Sequence, residues 1–218
     1  MKNANSDWLG ALASVSLAIA GLCAVLISVD IATGRRQKMW IMNLVWPLTA
    51  LYGGPLALWA YWRLGRKPVG KPFWQQAALG AMHCGSGCTL GDIVAEWFTF
   101  FVPVTLFGMT LFASWAIDYA LAFAFGIGFQ YFTIAPMRGL SPAQGLRAAV
   151  KADFLSLTAW QIGMYGWMAI AIFGIFGREL DKTGPLFWFM MQIAMLAGFA
   201  TAYPVTWWLL KRGVKEPM

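Results

Sequence analysis

The chain has 218 residues, of which 60% are hydrophobic and 11% are charged, whereas soluble domains carry about 25% charged residues. This composition excludes an ordinary soluble globular protein and indicates a protein that works within a lipid bilayer. Sixteen Lys and Arg residues against nine Asp and Glu residues give a formal net charge of +7, an excess that the cytoplasmic loops of a membrane protein explain without a nucleic-acid partner.

Six apolar stretches are long enough to cross a membrane, because a spanning helix needs about 20 apolar residues. The predicted helices cover approximately residues 8–32, 39–62, 73–103, 106–136, 154–176 and 186–210. The first has no small-residue cleavage site after it and is expected to be retained. The pattern therefore predicts an all-α fold, a polytopic membrane helix bundle that forms one domain over residues 1–218.

The connectors predict the orientation. With six spans both ends of the chain lie on one side, together with eleven of the sixteen basic residues. The positive-inside rule then favours cytoplasmic termini, although the connector that contains Arg35 and Arg36 violates it locally. The connector 139–153 begins with Ser141-Pro142, which is typical of a helix start, and predicts a short interfacial helix.

The segment MHCGSGCTLGDIVAEW, in the third predicted helix, contains the single histidine of the protein, His83, with Cys84, Cys88, Asp92 and Glu96. Such side chains are costly inside a membrane and indicate a function. The thiols and carboxylates recur every four residues and share one helix face. His83 lies about 100° away, so it joins them only if the helix opens at the Gly-Ser-Gly sequence.

The carboxylates of this region lack nearby basic residues. No Lys or Arg lies between Lys71 and Arg138, whereas Asp92, Glu96 and Asp118 do. Each carboxylate must therefore be protonated, paired with a distant helix, hydrated or bound to a cation. Asp118, well inside the fourth predicted helix, is the one expected to be buried.

Thiolate, thioether and imidazole groups are ligands that Cu(I) and Zn(II) prefer. The sequence predicts a copper ion site, with zinc as an alternative, from residues His83, Cys84, Cys88, Asp92, Glu96, Asp118, Met164 and Met168. The two methionines have i, i+4 spacing, which also suits ordinary core packing. The Gly87-x3-Gly91 pair equally suits a close helix contact, and His83 equally suits a hydrogen bond to a neighbouring helix.

The sequence from His83 to Asp92, HCGSGCTLGD, followed by Glu96-Trp97, resembles the signature of a family of bacterial polytopic membrane proteins of unknown function. The resemblance extends more loosely over roughly the last 150 residues. The resemblance implies an inner-membrane location and favours a function that involves metal ions. It assigns no activity to the signature residues.

Three functional classes remain open at this stage. The first is a protein that binds or transports a soft metal ion, with no catalytic role expected. The second is an accessory subunit that packs against copies of itself or against a larger membrane complex. The third is a membrane thiol oxidoreductase that uses Cys84 and Cys88. The expected partners are the lipid bilayer and the metal ion, and no dinucleotide, P-loop, zinc-protease or serine-hydrolase motif is found.

Overall fold

The computed structural model describes residues 4–37, 39–66, 70–177 and 180–216, with side chains from residue 8 onward. Regular secondary structure in these ranges is entirely helical, which confirms the predicted all-α bundle. The helices are α1 (Ala4–Ala32), α2 (Met42–Ala60), α3 (Phe73–Phe101), α4 (Thr110–Arg138), α5 (Pro142–Ala169) and α6 (Pro185–Lys211). Helices α2 and α5 continue into the π-helical segments Tyr61–Gly65 and Ile170–Phe176.

Four helices are long and apolar enough to cross a membrane: α1, α4, α5 with its π-helical extension, and α6. Helix α3 is also long enough, with 29 residues and about 43 Å, but it is more polar than these four helices. The reason is its position, since it packs against α2, α4, α5 and α6 and most of its central residues are buried. Its polar side chains therefore face protein and not lipid.

Helices α3 and α4 pack with their backbones in close contact. Gly87 and Gly91 face Gly126 and Ala122, and a Cβ atom added at Gly91 would lie 2.5 Å from the Ala122 backbone nitrogen. Small residues at four-residue spacing allow this approach between membrane helices. The predicted packing role of the Gly87-x3-Gly91 pair is therefore observed.

Helix α2 turns back on itself inside the bundle. Its backbone leaves helical geometry at Gly54, where φ is 50° and ψ is −128°, a conformation that glycine adopts most easily. The rings of Trp46 and Tyr61 are 5.5 Å apart, whereas a straight helix would separate these residues by about 22 Å. Helix α2 is therefore a re-entrant hairpin with Gly54 at its tip.

The hairpin returns to the face of the bundle from which it entered. Tyr61 and Arg66 both donate hydrogen bonds of 2.7 Å to the Asp30 carboxylate near the end of α1. Trp40, at the base of the hairpin, contacts Phe132 near the end of α4. We call this end of the bundle, where α1, α4 and α6 end and α3 and α5 begin, the basic face.

The hairpin corrects two predictions. The stretch 39–62 is helical but reverses at Gly54 and does not run from one face of the bundle to the other, so the start of α1 and the end of α6 lie at opposite faces of the bundle and not at the same one. The cause is the sequence Gly53-Gly54-Pro55 in the middle of α2, which interrupts the helix although the overall hydropathy suits a span.

Helix α5 is longer than predicted. The connector 139–153 does not form a separate interfacial helix, because α5 runs without interruption from Pro142. Ser141 and Gln144 form a capping box at its start, and no strong helix breaker follows before the π-helical segment. Asp153 is consequently carried into the bundle, where it is fully buried.

Candidate functional site

The predicted site residues of α3 are all buried, but they point towards different neighbours. Helix α3 continues through Gly85 and Gly87, so the local opening that His83 would need in order to join the thiols is not observed. In the described ranges, no group of three or more His, Cys, Asp or Glu side chains is arranged to hold a metal ion. The polar side chains of α3 instead form separate clusters along the helix.

His83 faces α4. Its Nε2 atom lies 3.2 Å from the Thr133 hydroxyl oxygen, and this hydroxyl donates its hydrogen to the Phe129 carbonyl at 3.0 Å. Since the Thr133 hydrogen is used in that bond, Nε2 is the donor in the contact with Thr133, and Nδ1 has no hydrogen-bond partner among the described residues. The alternative of a hydrogen-bonded histidine fits this geometry better than the ligand role.

A buried ion pair lies near His83, towards the basic face. Lys215 Nζ is 3.1 Å from Asp153 Oδ1 and 3.2 Å from the Ser156 hydroxyl, and both charged side chains are 0% exposed. These three residues form the Lys215 cluster. The sequence gives no sign of this pair, because Lys215 lies beyond the last predicted span and Asp153 lies in the predicted connector.

Glu96 binds a lysine at the opposite end of α3. Lys182 Nζ, from the connector between α5 and α6, lies 2.5 Å from Glu96 Oε2. Lys182 also donates to Thr99 at 2.9 Å and to Ser114 at 3.2 Å, and Ser114 donates to Glu96 at 3.0 Å. Glu96 therefore has a basic partner from a distant segment, one of the four states that the sequence left open. These residues form the Lys182 cluster.

Asp92 and Asp118 face each other between these two clusters. Each is 1% exposed, and they flank the close contact of α3 with α4, where Gly91 packs against the Ala122 backbone and the two carboxyl groups act on each other electrostatically. Tyr165 donates a hydrogen bond of 2.9 Å to Asp118 Oδ2, whereas neither oxygen of Asp92 receives a hydrogen bond from a described residue. We call these two residues the carboxyl pair.

The sulfur atoms occupy an apolar core. Cys84 and Cys88 are free thiols, both 0% exposed, and they lie side by side on α3. They share one hydrophobic cluster with Met164, Met168 and the Trp160 ring. The structure thus brings the predicted sulfur donors into the same region but separates them from His83.

Fold and site together define a polytopic helix bundle whose central helix carries buried ionisable groups at three depths. Residues 73–215 match the family described as a domain of unknown function, DUF4396, and the chain belongs to this family. The match covers α3 to α6 and includes all eight predicted site residues. Neither a curated protein nor a solved structure is significantly similar to the chain.

Proposed function

We propose that this protein is a multi-pass protein of the bacterial inner membrane that binds a cation at the carboxyl pair and transports it across the membrane. The cation that the pair favours is the proton. The observation that supports this proposal is the pair itself. Asp92 and Asp118 are buried together, and the ion pairs of the described residues involve other carboxylates. Two buried carboxyls without a basic partner favour binding of a shared positive charge.

The positions of the two lysine clusters favour transport over static binding. From Gly80, beside the Lys215 side chain, to Glu96 the helix rises about 24 Å, which is most of the roughly 30 Å hydrocarbon thickness. Along this length α3 meets the Lys215 cluster, the carboxyl pair and the Lys182 cluster in turn. Each ion pair would have to rearrange for a cation to pass, so the pairs are suited to act as gates.

The charge distribution supports a cytoplasmic location for the basic face. Of the twelve Lys and Arg residues that the structure describes, all except Lys182 belong to segments at this face. The connector with Arg35 and Arg36 no longer violates the positive-inside rule, because the hairpin keeps it on the same side as Arg66. The end of α6 is then cytoplasmic and the start of α1 is periplasmic.

Proton flux into proteoliposomes tests the proposal. We expect the protein to increase the flux, driven by a potassium diffusion potential and followed by an internal pH dye, above that of empty liposomes. Asp92→Asn and Asp118→Asn should each reduce the flux to the background, because a single neutral amide prevents the pair from sharing a proton. Glu216→Gln, outside the bundle core, is the control. Equal flux in the three variants would contradict the proposal.

A soft metal ion is the second candidate, favoured by the adjacent thiols in a methionine-rich core. Cu(I) accepts two thiolates without further ligands, so His83 is not required. Purified protein should then bind about one Cu(I) per chain, and Cys84→Ser with Cys88→Ser should abolish this binding. Cys23→Ser is the matched control, since Cys23 is a buried free thiol elsewhere. Unchanged copper content in the double variant would exclude the site.

A further inference from the structure

An open groove of about 470 Å³ runs along the outer surface of the bundle between α5 and α6. Its walls include Leu155, Ala159 and Ile162 of α5 and Pro204 and Trp208 of α6. The three α5 residues have i, i+4, i+7 spacing and share one helix face. From the first to the last of them the helix rises about 10 Å, which is most of the roughly 15 Å thickness of one hydrocarbon leaflet.

The groove is apolar because its polar groups are satisfied within the protein. The Thr158 side chain, the polar one in the lining, donates a hydrogen bond of 2.7 Å to the Phe154 carbonyl. The Thr201 hydroxyl donates to the Ala159 carbonyl at 2.6 Å, which fixes the register of the two antiparallel helices. An acyl chain in this groove therefore leaves no buried polar group without a partner.

Three basic residues lie at the end of the groove that belongs to the basic face. Lys151 precedes Leu155 by one turn on the same face of α5, and Arg147 precedes Lys151 by another turn. On α6, the Arg212 guanidinium lies over the Trp208 ring, 5.6 Å from its centroid. In the register of α5 with α6, Lys151 and Arg212 differ in height by less than one helical turn. All three basic side chains are exposed.

These three positive charges are not neutralised by the carboxylates of the described residues, whose ion pairs involve other lysines and arginines. The carboxylates nearest to them in sequence are Asp153 and Glu216. Asp153 is paired with Lys215 and Glu216 is paired with Arg138. The end of the groove is therefore free to attract an anion.

We propose that this groove binds an anionic phospholipid, with one acyl chain along the groove and the headgroup phosphate at Lys151 and Arg212. Basic residues between membrane helices at the end of an apolar surface suit an anionic headgroup. Trp208 lies between the two parts, as tryptophan does at the level of lipid headgroups. The inference is independent of the proposed transport, because the groove contains neither the carboxyl pair nor a residue of the lysine clusters.

Native mass spectrometry of the full chain tests the inference. The protein is released from detergent in the presence of equal amounts of dioleoylphosphatidylglycerol and dioleoylphosphatidylcholine, which have the same acyl chains and differ in headgroup charge. We expect one phosphatidylglycerol per chain to be retained with at least about tenfold preference. Lys151→Gln with Arg212→Gln should abolish this preference, because it removes the charges that hold the phosphate.

A second double variant is the matched control. Arg36→Gln with Lys211→Gln removes the same two kinds of charge from the same face of the bundle. Lys211 Nζ lies 5.5 Å from the centroid of the Trp207 ring, which contacts Phe73 of α3, so it is directed away from the groove. This variant should keep the preference. Equal loss of preference in the two double variants, or no preference in the unmodified protein, would overturn the inference.

Filling the groove tests the place of the acyl chain. Ala159→Phe should reduce the retention of phosphatidylglycerol about tenfold or more, whereas Ala124→Phe, at an exposed position of α4 outside the groove, should leave it unchanged. Unchanged retention in Ala159→Phe would overturn the inference. A dimer that Ala159→Phe dissociates, without a preference for phosphatidylglycerol, would assign the groove to a second copy and overturn it as well. The charge variants alter exposed side chains and test the inference independently of helix packing.

Discussion

Lys215 and Asp153 form an ion pair that is completely enclosed by the bundle, with 3.1 Å between Nζ and Oδ1 and no exposure of either side chain. The pair joins the segment after α6 to the first half of α5. Ser156 donates a hydrogen bond of 3.2 Å to the same carboxylate oxygen, while Asp153 Oδ2 has no partner in the described residues. A buried pair of this kind holds together only while both charges are present.

Removal of one charge from this pair should destabilise the protein strongly. We expect Lys215→Met to lower the free energy of unfolding by about 3–5 kcal/mol, because it leaves Asp153 charged and unpaired. The double variant Lys215→Met with Asp153→Leu should recover most of that loss. Thermal unfolding in detergent measures both effects.

The exposed pair between Arg138 and Glu216 is the control for the buried one. Its side chains are 44% and 24% exposed, so Glu216→Gln should change the free energy of unfolding by less than about 1 kcal/mol. If Lys215→Met were no more harmful than Glu216→Gln, the buried pair would have no structural importance.

The close contact between α3 and α4 should not tolerate a larger residue at Gly91. Gly91→Leu is expected to cost about 1–3 kcal/mol, because the side chain must displace the Ala122 backbone. Gly128→Leu, on α4 with open space around the glycine, should be neutral. Equal melting temperatures of the two variants would contradict the observed packing.

The re-entrant hairpin gives a topology that cysteine labelling can test. In a variant without the native cysteines, Arg36→Cys and Lys211→Cys should each react with an impermeant thiol reagent from the same side of the membrane. A cysteine at Asp181 should react from the other side. A spanning α2 would instead place Arg36 and Lys211 on opposite sides.

The native thiols should be unreactive in the folded protein. Cys84 and Cys88 are 0% exposed and Cys23 is 5% exposed, so maleimide is expected to label them only after denaturation. Labelling before and after reductant should give the same result, because all three are free. Rapid labelling of Cys84 or Cys88 without denaturant would show access to the core and favour the oxidoreductase class.

Several parts of the site could be predicted from the sequence, because they depend on local spacing. The four-residue recurrence from Cys84 to Glu96 placed these residues on a buried helix face, and the isolation of Asp118 indicated its burial. The partners could not be predicted. Lys182 reaches Glu96, and Lys215 reaches Asp153, only because α5 and α6 fold back along α3.

An all-α bundle of apolar helices with ionisable groups concentrated on the third helix follows from the sequence alone, since composition and helical periodicity are local properties of the chain. Which of these groups meet depends on the tertiary packing. It turned α2 back at Gly54, separated His83 from the thiols and set Asp92 against Asp118. Such outcomes depend on how helices distant in sequence pack together, because a buried charge is stabilised by whichever group lies opposite it and not by its neighbours along the chain.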